Sequence, residues 1–155
     1  MENYSDRDRG SDIGLYASSV REQLTHYAKP MEAGNHEDVR WAAVSGKNLP
    51  GIMAVGNQPP MQVSALPFTD EQLSSVEYSR NLPESQATVL VVASRTLGVG
   101  SNSCGPRPLE KYVVWSDPTE FSYSLRILPP GAADYTSLGR TQPPTADRSS
   151  NSGLE

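Results

Sequence analysis

Apolar and polar residues alternate with a period of two over several short stretches of this chain, and turn-forming residues separate those stretches. In DVRWAAVSG, 38–46, Val39 and Trp41 fall on one side of an extended backbone and Arg40 on the other, the pattern of a strand. SGKN, 45–48, is turn-forming and GIMAVG, 51–56, returns, so the two stretches are expected to form a hairpin. MQVSALPF, 61–68, sets Met61, Val63 and Ala65 against Gln62 and Ser64, which reads as a half-buried strand. TDEQLSSV follows, with Thr69 placed as an N-cap and acidic residues in the first turn, the opening of a short helix. TVLVVAS, 88–94, is apolar nearly throughout, as expected of a central strand buried on both faces. KYVVW, 111–115, and FSYSLRIL, 121–128, complete the set, the latter alternating Phe121, Tyr123, Leu125 and Ile127 against serines and Arg126. Near the start, LYASSVREQL, 15–24, reads as a short helix or a loop. Short strands of this number and punctuation argue for an antiparallel sandwich, an all-β fold with one or two short helices.

The 155 residues suit one domain, and the apolar ones are concentrated before Pro130. Residues 1–130 are therefore expected to form the β-sandwich domain. Past that point Gly, Ser, Thr, Pro and Asp dominate, so 131–155 is expected to be a disordered tail, with too little to bury to offset the entropy of ordering it. The net charge is −5, and Lys and Arg are scattered, leaving no basic stripe to follow a phosphate backbone, so nucleic acid is not an expected partner. No apolar run approaches the ~20 residues that cross a bilayer, and MENYSDRDRG is polar, unlike a signal peptide. No membrane partner is expected either. A single cysteine excludes an internal disulfide.

Candidate chemistry is sparse. Glu2, Asp6, Asp8, Asp70, Glu71 and Glu84 stand in polar contexts where solvation accounts for them, and no pair is held across a scissile bond. His26, Glu32, His36 and Glu37 match no metal-ligand spacing, and Cys104 has no base that the sequence places beside it. No metal and no cofactor are expected in this chain. LGVGSNSCGP, 97–106, looks superficially like a phosphate loop, but Pro106 and Pro108 oppose the helix that would have to start there. What remains is a constrained loop at a strand end, a common place for binding residues. Trp41 and Trp115 are expected to pack in the core, with a sugar-stacking platform as the alternative.

Four blocks taken together, ENYSDRDRGSDIGLYASSV, HYAKPMEAGNHEDVRW, VSALPFTDEQL and LGVGSNSCGP followed by EKY, occur in an order and spacing that resemble the C-terminal domain of glycoside hydrolase family 2 β-galactosidases. The resemblance runs from about Glu2 to Leu128. It implies an antiparallel supersandwich of the galactose mutarotase-like type, of which this chain would supply the C-terminal half. Strand faces that would meet the other half would then be exposed, inviting self-association. The family cleaves terminal β-galactosides such as lactose with retention, through two glutamates in a TIM-barrel domain that this chain lacks, so the resemblance implies a noncatalytic domain.

In lactose-hydrolysing members, the loop matching 98–106 reaches the active-site mouth and many present a tryptophan there. This chain has Cys104 in that place, in a loop one residue shorter. The resemblance implies that Asn102, Ser103 and Cys104 are the substrate-binding residues, lining the outer subsite. The implied partners are the remaining domains of a parent β-galactosidase, a galactoside at the shared mouth and further copies in a homo-oligomer. An independent carbohydrate-binding module is the alternative. Departures from the family pattern are Tyr78 where His is frequent, Ala93 where Asp is frequent and Met31 where Gln is frequent.

Overall fold

A computed structural model of the chain describes residues 13–57, 60–96, 107 and 109–141. Among these, six strands form two three-stranded antiparallel sheets. The strands are β1 (His36–Val39), β2 (Trp41–Val44), β3 (Gly51–Gly56), β4 (Met61–Leu66), β5 (Val89–Ala93) and β6 (Tyr123–Leu128), with two short helices, α1 (Asp70–Ser74) and α2 (Tyr135–Arg140). One sheet has the order β1-β4-β5 and the other β2-β3-β6. The all-β, antiparallel, two-sheet architecture is the one expected from the alternation.

β1 and β2 are one extended run broken at Arg40, so a single stretch of chain belongs to both sheets. Along β1 the register moves from His36 opposite Val63 to Val39 opposite Met61, three steps against two, which is a one-residue bulge. Asp38 absorbs it with φ of 55°, a left-handed conformation that Asp tolerates better than most residues. The expected hairpin is present, with Trp41 opposite Val55 and Val44 opposite Ile52. Its turn carries Asn48 at φ 59°.

The sheets meet through small residues. Ala54, fully buried, lies with Met61 and Val63 in one cluster, and Val39, Ala42, Leu90, Val92 and Phe121 pack around it. A second cluster, Leu66, Phe68 and Leu73 with Leu24 and Leu82, covers the far end of β4. α1 is placed by a capping box in which Gln72 N donates to Thr69 Oγ1 and Thr69 N donates to Gln72 Oε1. That N-cap is the one expected. In the 15–24 segment, Ser19 and Glu22 form the same kind of box at a 3-10 turn, Val20–Gln23.

Several expectations are overturned. β4, read as half-buried, is the central strand of its sheet, and Ser64 on its supposed polar face is buried. β5, read as central, is an edge strand with Val91 43% exposed. An unbroken apolar run shows that both faces tolerate burial, but neighbours decide which strand receives it. KYVVW forms no strand: Glu110–Tyr112 is a 3-10 turn, and 113–122 pair with no sheet. Trp115, expected in the core, is 54% exposed. β6 forms, but its apolar set, on the face it shares with Ala54, is left exposed, and Leu128 on the other side is buried.

The reason for that inversion is α2, which lies within the stretch expected to be disordered. The Asp134 carboxylate accepts from Ser137 N at 3.0 Å, and hydrogen bonding by the Ser137 side chain, then by its backbone, holds its pKa below the ordinary aspartate range. Arg126 donates to the carbonyls of Leu138 and Thr141 and so caps the other end. Tyr135 and Leu138 pack with Trp41 against Met53, Val55 and Leu128. Gly139 is buried, and a Cβ there would stand 2.4 Å from Cδ1 of the Trp41 indole.

Gly to Ala inside a helix normally stabilises by about 0.5–1 kcal/mol. Gly139→Ala is expected to do the opposite, costing about 1–3 kcal/mol through overpacking on Trp41, as a lower urea midpoint would show. A stabilised variant would mean that α2 does not sit on the indole.

Candidate functional site

The loop-borne residues Asn102, Ser103 and Cys104 lie outside the described residues. The structure does describe the base from which their loop departs, at Thr96, and to which it returns, at Arg107.

Gln62 of β4 organises the departing side. Its Oε1 accepts from Thr96 Oγ1 at 2.5 Å and from Asn35 Nδ2 at 3.2 Å, and its Nε2 donates to Glu37 Oε1 at 2.9 Å. Asn35 Nδ2 also lies 3.4 Å from Thr96 Oγ1. Three segments distant in sequence therefore converge on one half-buried amide, whose bonds are stronger there than in bulk water. Asn35 reaches it because Gly34 turns the chain at φ +71°, where a Cβ would come within 2.8 Å of the Gln23 carbonyl oxygen; only glycine fits that position. Next to this knot, His36 Nε2 lies 2.8 Å from Gln23 Oε1.

On the returning side, the Arg107 guanidinium carbon lies 5.9 Å from the centre of the Trp115 ring, within reach of a cation–π attraction. A similar pairing, Arg80 over Tyr78 at 4.6 Å, occurs elsewhere in the chain. Tyr78 thus supplies a ring face to a neighbouring cation.

The acidic and histidine residues that might suggest a metal are not brought together. His36 faces Gln23, Glu37 faces Gln62, and Glu32 is influenced by Asp70. No group of three or more His, Cys, Asp or Glu among the described residues could hold a metal ion. Burial, and then the hydrogen bond and charge of Asp70, push the Glu32 carboxyl above the ordinary glutamate range. Sequence reasoning weighed Glu32, His36 and Glu37 but missed the roles of Gln62, Thr96 and Arg107. A lone glutamine in an alternating strand carries no signal of its role as a hub.

A family model described as beta galactosidase small chain matches residues 1–127. The chain belongs to the β-galactosidase small-chain family. Among curated relatives, a β-galactosidase of Priestia megaterium is 36% identical over 101 residues, covering 65% of this chain and 10% of that protein. One of Actinobacillus pleuropneumoniae is 28% identical over 125 residues, 81% of this chain and 12% of its own length. One of Streptococcus thermophilus is 30% identical over 128 residues, 83% of this chain and 12% of its own. The chain thus spans about a tenth of the length of these β-galactosidases. The loop base lies within the matched residues, whereas α2 lies beyond them.

Two measurements test this site. Gln62→Leu removes its bonds to Thr96, Asn35 and Glu37 at once and is expected to cost about 1–3 kcal/mol, with faster amide exchange at Thr96; unchanged exchange there would count against the hub. Since the folded state holds the Glu32 proton more tightly than the unfolded chain, stability from this group is fully present below the ordinary glutamate range and is lost as pH rises through the raised value. Glu32→Gln should therefore raise the melting temperature at pH 7 and change it less at pH 4, and equal shifts at both would refute the coupling to Asp70.

Proposed function

We propose that the chain acts as a noncatalytic domain of a β-galactosidase, contributing its 97–106 loop to the mouth of a substrate pocket whose catalytic carboxylates lie elsewhere in the enzyme. The observation that carries this reading is the loop base: within the part of the chain that matches the family, the strand end leading into the loop is fastened to Gln62 and Asn35, and the loop's return is met by Arg107 on Trp115. A loop whose departing root is fastened to a sheet, and whose return is met by a cation–π contact, can present side chains at a defined place, as a specificity element requires.

In this reading Asn102 and Ser103 offer hydrogen bonds to sugar hydroxyls, while Cys104 gives a small, polarisable surface where related enzymes stack an indole. The parent enzyme acts on terminal β-D-galactosides such as lactose, and the domain also supports assembly. Its partners are the other domains of that enzyme.

Placing the chain in a full-length β-galactosidase and changing Cys104→Trp is expected to alter KM for lactose and for aryl galactosides at least several-fold, with a smaller change in kcat, because a stacking platform acts mainly through binding. Unchanged KM for both substrates would remove the loop from the mouth. The isolated chain is expected to release no product from an aryl galactoside, and turnover by it would overturn the reading outright.

A further inference from the structure

We infer that Trp115 and Arg107 form a subsite for an anionic sugar, a uronate carried as the leaving group of the terminal galactose. The inference rests on the reading of the chain as part of a β-galactosidase mouth and names a substrate class for it. It places the selecting side chains at the returning root of the 97–106 loop, outside the loop itself.

Trp115 is 54% exposed and belongs to none of the three buried clusters among the described residues. It stands in 113–122, which pairs with no sheet, so the two sheets pack without its indole. An indole open to water, with its N–H at one edge, is well shaped to cover the apolar face of a pyranose. Both Trp115 and Arg107 fall within the stretch that matches the family.

Arg107 decides the charge of the sugar. It is the first residue after the 97–106 loop, and its guanidinium carbon lies 5.9 Å from the centre of the Trp115 ring, farther out than the 4.6 Å of Arg80 over Tyr78. A cation–π contact at this range uses the charge of the guanidinium and leaves its N–H donors directed at whatever oxygen comes beside the ring. A pyranose lying on the indole carries an exocyclic carboxylate at its rim, beside that cation. The planar fork of arginine pairs with a planar carboxylate through two charge-assisted bonds, roughly twice as strong as the neutral bonds a hydroxymethyl group accepts. The chain carries a net charge of −5, so without a local cation at this root an anionic sugar would be repelled.

The test uses the chain spliced into the Streptococcus thermophilus β-galactosidase in place of its matching stretch. Its substrates are lactose and the galactosyl-glucuronate that differs from lactose only by a carboxylate on the leaving sugar. In the chimera, kcat/KM for the glucuronate is expected to exceed that for lactose about fivefold or more, a preference that ~1 M salt reduces by screening. Arg107→Gln is expected to bring that ratio to about one, whereas loss of a purely structural contact would shift both substrates alike and keep it. Trp115→Ala is expected to raise KM for both disaccharides several-fold, and Trp115→Phe to recover part of the loss. A chimera that does not prefer the glucuronate overturns the inference, as does a preference that Arg107→Gln leaves intact. If Cys104→Trp alters KM while the Trp115 and Arg107 variants behave as the parent, the loop stays at the mouth and the subsite falls. A chimera without galactosidase activity counts against the enzymatic reading, and the free chain then decides the subsite. Titration of the free chain with glucuronate is expected to shift the Trp115 indole N–H resonance with a Kd on the order of 10 mM. No shift, or an equal shift with glucose, overturns the inference.

Discussion

The stretch from His36 to Val44 belongs to both sheets, and everything else in the structure depends on the bend that allows this. Asp38 takes a left-handed conformation inside a bulge, the chain kinks at Arg40, and Gly56 N donates to the Arg40 carbonyl at 2.9 Å. The bulge turns the strand out of one ladder and into the next. Because one continuous backbone joins the layers, Ala42 and Ala54 of the second sheet arrive directly against Met61 and Val63 of the first. Small residues on one side meet longer ones on the other.

That junction also sets the two ends of the molecule. Just upstream of the bend, Gly34 and Asn35 deliver a side-chain amide to Gln62, so the segment that builds the strand crossing also ties down Thr96 at the root of the 97–106 loop. Downstream, Trp41 opens the second sheet and presents its indole to Gly139, so the crossing also provides the seat for α2. Loop base and helix seat are thus tied to opposite ends of one kinked stretch. Membership of the β-galactosidase small-chain family attaches to the first of these, since residues 1–127 match and α2 lies outside. The helix, beyond the matched stretch, closes the Trp41 face.

The amino-acid sequence by itself determined the locally encoded features. The period-two pattern marks β4 and β6 within two residues of their ends, and the 45–48 turn with the returning stretch 51–56 marks the hairpin. Thr69 with Gln72 marks the start of α1 through bonds that close within four residues. Four blocks in order were enough to place the chain in its family. Such features depend on neighbours in the chain, so the chain displays them.

Tertiary structure alone decided which strand is central, which face of β6 is covered and which polar side chains meet. Alternation shows that the two faces of β6 differ, but it contains no information about which one a distant helix will cover. That choice came from a carboxylate cap at Asp134, a guanidinium at Arg126 and the absence of a side chain at Gly139, features spread over a stretch whose composition suggested disorder. The Gln62 hub was equally invisible, because its partners Asn35, Glu37 and Thr96 lie 25 to 34 positions away in sequence. Burial and convergence are properties of neighbours in space, and a strand cannot display them until the sheet around it is built.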